Sequence, residues 1–279
     1  MASQIKNIAV FYRPENSEAV NWHKKISQWV SKKHPRIKIS DARPQAVVVL
    51  GGDGTILEAA RKYQKSGAII FGLNLGHVGF LASVRKPGNF LRGLDKLLKG
   101  QFSIAKRMML EAKVSRRGRQ VFSAVSLNDF IIQNPVGIVE ISVTIEGHPV
   151  QYVHGTGFLV ATATGSTAYN LSAHGPIVMP DFQGMILSEI LDHNIPTPSM
   201  IVKPENKVGL EIIDFRQRGL LFTKDGKKAD VLLISDGERI FPLDKKDKVI
   251  IKRSPKLVKL AELEKNYFFK SLQEKFSFR

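Results

Sequence analysis

Four short stretches hold the side chains that could do chemistry. The first, Gly51-Gly52-Asp53-Gly54-Thr55, follows the apolar run Ala46–Leu50 and leads into a helical pattern. A glycine-rich strand-to-helix turn offers free N–H groups and the positive end of a helix dipole, and missing Cβ atoms let an anion approach closely. The turn therefore suits phosphate, with Gly51, Gly52, Gly54 and Thr55 as the loop. It lacks the lysine of GxxxxGK[ST] and the spacing of GxGxxG, so neither common phosphate fingerprint applies. Asp53 is either a cap, a role Asp often fills, or a carboxylate held beside the bound group.

The second stretch, GLNLGHVGFL over residues 72–81, is another strand ending in a glycine turn, and its Asn74 can both donate and accept. Parallel neighbours deliver such loops to one sheet edge, where open α/β sheets bind ligands. His77 has no second histidine at metal-ligand spacing and reads as a loop residue. The third, Leu127-Asn128-Asp129, lies between two β-rich runs and is good turn chemistry. The fourth, GTGFLVATATGSTAYNLSAHGPIVMP over residues 155–180, packs Thr162, Thr164, Ser166, Thr167, Tyr169 and Ser172 into one row. So many hydroxyls are hard to satisfy in a core strand and point to a polar ligand.

Elements that could position these residues follow from periodicity. Residues 6–12 read as a strand, and 17–33 as an amphipathic helix carrying Val20, Trp22, Ile26, Trp29 and Val30. Strands are expected over 37–39, 46–50 and 68–73, with helices over 56–65 and 87–100. Strands alternating with helices mean a parallel, Rossmann-like sheet covered on both faces. After about Ser103 short β-rich runs separated by turn signals replace this pattern, as in an antiparallel β-rich domain, here expected as a β-sandwich. The expected division is an α/β domain over 1–103 and a β-rich domain over 104–256, with about 257–279 returning to the first as a strand and helix.

Composition narrows the class of function. The 279 residues include no cysteine, which excludes disulfides and thiolate chemistry and agrees with a reducing cytoplasm. No apolar run approaches the roughly 20 residues of a bilayer span, and the N-terminal residues lack a signal layout, so the expectation is a cytoplasmic chain without membrane contact. The formal charge of +17 argues for polyanionic ligands. No nucleic-acid-binding signature accompanies it, and clusters such as residues 115–120 and 243–256 read as solvated turns or strand edges, so no nucleic-acid partner is expected.

Together GGDGT, NLGHVGFL, LND and TATGSTAYNLSAHGP resemble the NAD kinase family in order and separation, from about Ala46 to Pro180, with a looser continuation through SDGE at 235–238. GGDGT also occurs in lipid kinases and phosphofructokinases, whereas TGSTAY is far more selective. The resemblance implies phosphoryl transfer from ATP, or polyphosphate, to the adenosine-ribose 2′-hydroxyl of NAD, with Mg²⁺ or another divalent cation. It implies Asp53 as general base or hydroxyl-orienting group. It also implies an NAD site drawn from Asp53, Gly54, Asn74, Phe80, Asn128, Asp129, Thr156, Thr164, Ser166, Thr167, Ala168 and Tyr169, in a homotetramer or homodimer.

The chain departs from the family pattern at four places: Asp129 stands for Glu, Thr156 for Asp, Ala163 for Pro and His174 for Gly. Two alternatives follow: a GGDGT-type lipid kinase, which has no need of TGSTAY, and a nucleotide-binding homologue with altered or lost catalysis.

Overall fold

The computed structural model describes residues 5–76, 79–193, 197–219, 221–222, 226, 228–264 and 266–276, so His77 lies outside the described residues. The chain falls into two compact units. One joins Met1–Arg107 to Lys256–Arg279, and the other is Met108–Pro255.

The first unit opens with β1 (Asn7–Tyr12), α1 (Ser17–Lys33), β2 (Lys38–Ile39), β3 (Ala46–Leu50), α2 (Asp53–Tyr63), β4 (Ile69–Leu73) and α3 (Phe90–Leu98). Helix α1 starts where the Asn16 side chain accepts the Ala19 N–H at 3.0 Å, which satisfies one of the donors a helix leaves open at its N-terminus. It buries Ala19, Ile26 and Val30. All five residues of β3 are buried, as expected of a strand flanked on both sides, and the strands run parallel in the order β4-β3-β1-β2.

Helix α2 begins at Asp53, three residues before the apolar periodicity places it. The Gly52 carbonyl accepts the N–H groups of Thr55 (3.0 Å) and Ile56 (3.2 Å), so the first turn closes directly on the glycine despite the low helix propensity of Gly and Thr. Asp53 is thus a first-turn residue, and its side chain is fixed to a helix.

The second unit is antiparallel. It contains most of β5 (Ser103–Arg116), then β6 (Arg119–Ser126), β7 (Asp129–Gln133), β8 (Val139–Ile145), β9 (His148–Thr162), α4 (Tyr169–Ser172), β10 (Met185–Asp192), β11 (Met200–Val202), β12 (Val208–Phe215), β13 (Val231–Ser235) and β14 (Arg239–Leu243). The 15-residue strand β9 pairs with β8 through its first half and with β7 and β10 through its second. Its own core includes Leu110, Phe130, Ile132, Val143, Phe158, Leu187 and Leu210. Asp129, read as a turn residue, is the first residue of β7.

Strand β15 (Lys248–Glu262) and α5 (Tyr267–Phe276) end the described chain. The residues of β15 up to Pro255 belong to the second unit, pairing antiparallel with β12, whereas from Lys256 on the chain belongs to the first, Leu260 lying beside Ile70 of β4 in parallel. Among the described residues no helix is long and apolar enough to cross a membrane.

Candidate active site

In the first unit, the Asp53 carboxylate is held by main chain. The Phe80 N–H donates to Oδ2 at 2.8 Å and the Leu81 N–H to Oδ1 at 3.2 Å, so GGDGT and the NLGHVGFL turn meet at one side chain. A Cβ on Gly79 would fall on this carboxylate, and one on Gly51 would collide with Thr55, 2.8 Å from its Cβ. These two glycines are demanded by the protein's own packing. Gly52 and Gly54 are different, because a Cβ on either would meet nothing within 4 Å. They border open space at a helix start whose first N–H groups have no partner within the helix, which leaves room for an anion. Thr55 is buried under Gly51 and supports the loop from within.

Burial pushes the Asp53 carboxyl above the usual carboxylate range, against the opposing pull of the Phe80 and Leu81 amides and the Lys275 ammonium. That is the direction a general base needs, since a proton acceptor at the ordinary carboxylate pKa is a weak one. Asn74 is also buried, and its side chain closes its own turn, donating to the Gly76 carbonyl and accepting the Gly76 N–H, both at 3.2 Å.

Helix α5 backs this loop, a role that sequence reading gave it only as cover. Tyr267 and Ser271 hydroxyls donate to the Gly79 carbonyl at 3.4 and 3.0 Å. Phe268 packs on Phe80 with ring centres 5.8 Å apart, and the Lys275 ammonium lies 5.2 Å from the Phe80 ring centre. Phe80 is thereby buried, and its amide is aimed at Asp53.

In the second unit, a second set of named residues converges. The Asn128 carbonyl accepts the Thr162 N–H at 2.8 Å, and the Leu127 carbonyl accepts the Thr162 hydroxyl at 2.6 Å. A Cβ on Gly165 would run into the Asn128 backbone, so glycine is what lets the two stretches touch. The hydroxyl row is a 3-10 turn (Thr164–Thr167) followed by α4. Several of its hydroxyls are spent inside the protein. Ser166 is fully buried; it donates to the Ala163 carbonyl at 2.7 Å and accepts the Val178 N–H at 3.1 Å. Thr167 donates to the Thr164 carbonyl at 3.4 Å, and both threonines are buried. Much of the hydroxyl density therefore folds the turn. Ala168 and Tyr169 are more open, the Tyr169 hydroxyl accepting from the Gln133 amide at 3.2 Å. The Asn128 side chain is half-buried and has no hydrogen bond to a described residue. Thr156 donates its hydroxyl to the Ile190 carbonyl on β10 at 2.7 Å, a bond that an ionised Asp at this place could not make.

Asp129 is 3% exposed. Burial, with the neighbouring Asp236 carboxylate adding to it, pushes its carboxyl up to about 7, while the Tyr169 N–H pulls the other way. The sign of the linkage is fixed by this rise. Extra stability is full below the ordinary carboxylate pKa of 3.8 and is lost as pH climbs through about 7, because the folded state resists losing the proton. Asp129→Asn removes the titration and is expected to raise the melting temperature relative to the parent increasingly from the ordinary carboxylate pKa of 3.8 up to about 7, and by a constant amount above that. Parallel melting curves across that range would refute the assignment.

Asp236, within the SDGE stretch, is a supporting residue of this turn that sequence reading passed over. Its carboxylate accepts the Leu127 N–H (3.1 Å), the Asn128 N–H (2.8 Å) and the Ser126 hydroxyl. It thus holds the turn that carries Asn128 and Asp129. The only signal in the sequence is Asp-Gly between two β runs, a hairpin signature. Asp236 and Gly237 indeed take φ of 48° and 69°.

The sequence matches the ATP-NAD kinase N-terminal domain family over residues 1–102 and the ATP-NAD kinase C-terminal domain family over residues 128–263. The NAD kinase of Thermoanaerobacter sp. (strain X514) is 36% identical over 235 residues, covering 84% of this chain and 78% of that protein. The NAD kinase of Desulforamulus reducens is 34% identical over 236 residues, covering 84% and 77%. Among solved structures, yeast NADH kinase complexed with NADH superposes with a TM-score of 0.87 at 17% identity, over 100% of this chain and 89% of that one. An Archaeoglobus fulgidus NAD kinase in complex with ATP gives 0.77 at 22% identity, over 98% and 100%. At those identities the two structures speak for the fold alone.

Proposed function

The chain belongs to the NAD kinase family and phosphorylates NAD, and from that premise we propose that Asp53 is the residue that takes the proton from the acceptor hydroxyl. The reading rests above all on one observation: a carboxylate gripped by two backbone amides, at the first turn of α2, beside two glycines that face open space. ATP supplies the phosphoryl group. The ribose 2′-hydroxyl gives its proton to an Asp53 oxygen, its oxygen bonds to the γ-phosphorus, and the bond from that phosphorus to the ADP oxygen breaks. Little covalent chemistry is asked of the protein in such a transfer, so positioning and charge carry most of the catalysis.

Each carboxylate oxygen of Asp53 spends one lone pair on an amide and keeps another for the hydroxyl. Open space at Gly52 and Gly54 admits the phosphates. Among the described residues no group of three or more His, Cys, Asp or Glu could hold a metal ion unaided. That fits a Mg²⁺ or other divalent ion carried chiefly by the donor's phosphates, with at most one or two carboxylates from protein. Such an ion would neutralise charge on the transferring group.

For the nucleotide, the same reading assigns Asn128, Asp129, Thr156, Thr164, Ser166, Thr167, Ala168 and Tyr169 of the second unit, with Asp53, Gly54, Asn74 and Phe80 of the first. The open amide of Asn128 and the exposed face of Tyr169 offer the most direct contacts. Ser166 and Thr156 act through the backbone shape they fix. A homotetramer or homodimer belongs to the reading, and light scattering on the purified chain measures it.

Purified protein given ATP, Mg²⁺ and NAD is expected to produce NADP, read by an NADP-specific dehydrogenase. Running the assay with NADH, and with polyphosphate in place of ATP, sets the acceptor and donor range. Demonstrated NAD binding without product under every combination would favour a nucleotide-binding homologue instead.

A further inference from the structure

Helix α5 has two neighbouring faces, and Tyr267 serves both, its hydroxyl reaching the Gly79 carbonyl of the loop that holds Asp53. Phe268, Ser271 and Lys275 face Gly79 and Phe80. Tyr267, Lys270 and Glu274 line a separate cavity of about 440 Å³ within the first unit, closed on the other side by residues 83–96, and its size is that of a small-molecule site.

The charge of this cavity is lopsided. Arg85, Lys86, Arg92, Lys96 and Lys270 line it against two carboxylates, Glu264 and Glu274. Both carboxylates are already engaged, Glu274 with Arg85 at 2.5 Å and Glu264 with Lys270 at 2.5 Å. Lys86, Arg92 and Lys96 make no ion pair with a described residue. Arg92 and Lys96 stand four apart on α3, an arrangement in which like charges repel. Lys96 stands in the last turn of α3, where the helix dipole favours a cation, and its charge reaches Glu264; the concavity still carries five cations against two carboxylates, and a bound polyanion removes the repulsion among them.

We infer that this cavity is a second anion site, which binds an oligophosphate chain through Arg92, Lys96, Lys86 and Lys270, and that its occupancy steadies the Asp53 loop. Arg85 is the connection. Its guanidinium donates to the Tyr267 carbonyl at 2.9 Å and to the Ser271 hydroxyl oxygen at 2.8 Å, and it stacks on the Tyr267 ring 4.4 Å from the centre. Ser271 and Tyr267 in turn donate to the Gly79 carbonyl, next to the Phe80 and Leu81 amides that hold Asp53. An anion that draws Lys270 and Arg85 inward pins α5 against that loop. The binding half stands on the cavity alone, and the effect on turnover rests on the proposed role of Asp53. The oligophosphate is either free or the tail of a nucleotide, two sources with the same chemistry.

Isothermal titration of the full chain with inorganic tripolyphosphate, and separately with ATP, both without NAD, tests the site. The Arg92→Gln/Lys96→Gln variant changes one exposed and one half-buried side chain. It is expected to lose the equivalent bound here or to weaken it on the order of tenfold, with the wild-type affinity falling as salt is raised. Loss with both probes assigns the cavity to the phosphate chain itself. Loss with ATP alone assigns it to the nucleotide's phosphates. Unchanged binding of both overturns the site. Hydrogen exchange reads the coupling without turnover: tripolyphosphate is expected to slow exchange at the Phe80 and Leu81 amides in the parent and not in the variant. Equal exchange with and without the probe in the parent, despite proven binding, refutes the coupling. Because neither measurement involves NAD, a chain inactive as a kinase could still pass both.

Discussion

Replacing Asp53 with Asn is expected to cut kcat for NAD phosphorylation by about 10²–10⁴-fold, the range a positioned general base contributes, while KM for NAD moves little. A group that acts only as the proton leaves lowers turnover without weakening ground-state binding. The geometry adds a complication that the pH profile resolves. Both Asp53 oxygens accept a backbone N–H, and an amide has one oxygen to offer two donors. Part of the loss in the Asn variant therefore comes from a loosened Phe80–Leu81 turn. In the parent, kcat should fall as pH drops through the Asp53 pKa, which burial places above its usual value of 3.8, because only the carboxylate accepts a proton. The residual activity of the variant should lack that acid limb. A variant that is slow but keeps the parent's acid limb would make Asp53 a structural residue and sink the assignment.

What the sequence disclosed and what it hid divide along sequence separation. Residues 46–50, an unbroken β-branched and aliphatic run, could only be a strand buried on both faces, and all five are buried. Residues 17–33 carried an apolar stripe at helical spacing, and the helix has those ends. Local rules suffice where the stabilising contacts are local. The start of α2 failed for a local reason as well, since two poor helix formers were overruled by a glycine carbonyl free to cap the turn.

The candidate site was legible as motifs and not as a mechanism of support. That NLGHVGFL serves Asp53 through two amides depends on a contact 27 and 28 residues away in sequence. The link from Ser271 to Gly79 spans 192 residues, and that from Asp236 to Asn128 spans 108. No periodicity encodes contacts of that range. The hydroxyl row was only partly legible for a related reason: its density announced a polar environment, but half of that environment is the chain's own carbonyls and amides.

Removing the Asp236 carboxylate is the second large effect, and it separates holding a turn from touching a ligand. Asp236→Asn keeps a residue that tolerates the positive φ of 48°, so the hairpin should survive. It leaves one acceptor oxygen for the Leu127 and Asn128 N–H groups, while the Ser126 hydroxyl keeps the Asp129 carbonyl at 2.7 Å as an acceptor. Each buried donor left without a partner costs about 1–3 kcal/mol. Relief of one buried charge beside another offsets part of this. A net loss of about 1–3 kcal/mol is expected, seen as a lowered melting temperature, together with a raised KM for NAD as Asn128 and Asp129 lose their anchor. Simple destabilisation could do as much, so the decisive readout is the titration of Asp129. With the neighbouring charge gone, its pKa should fall from about 7 toward the usual carboxylate range. Any pH dependence of NAD binding that follows Asp129 should then move to lower pH in the Asp236→Asn variant and vanish in Asp129→Asn. If the profile of Asp236→Asn stays where the parent's lies while its stability drops, Asp236 only closes a hairpin, and the tuning of Asp129 has another source.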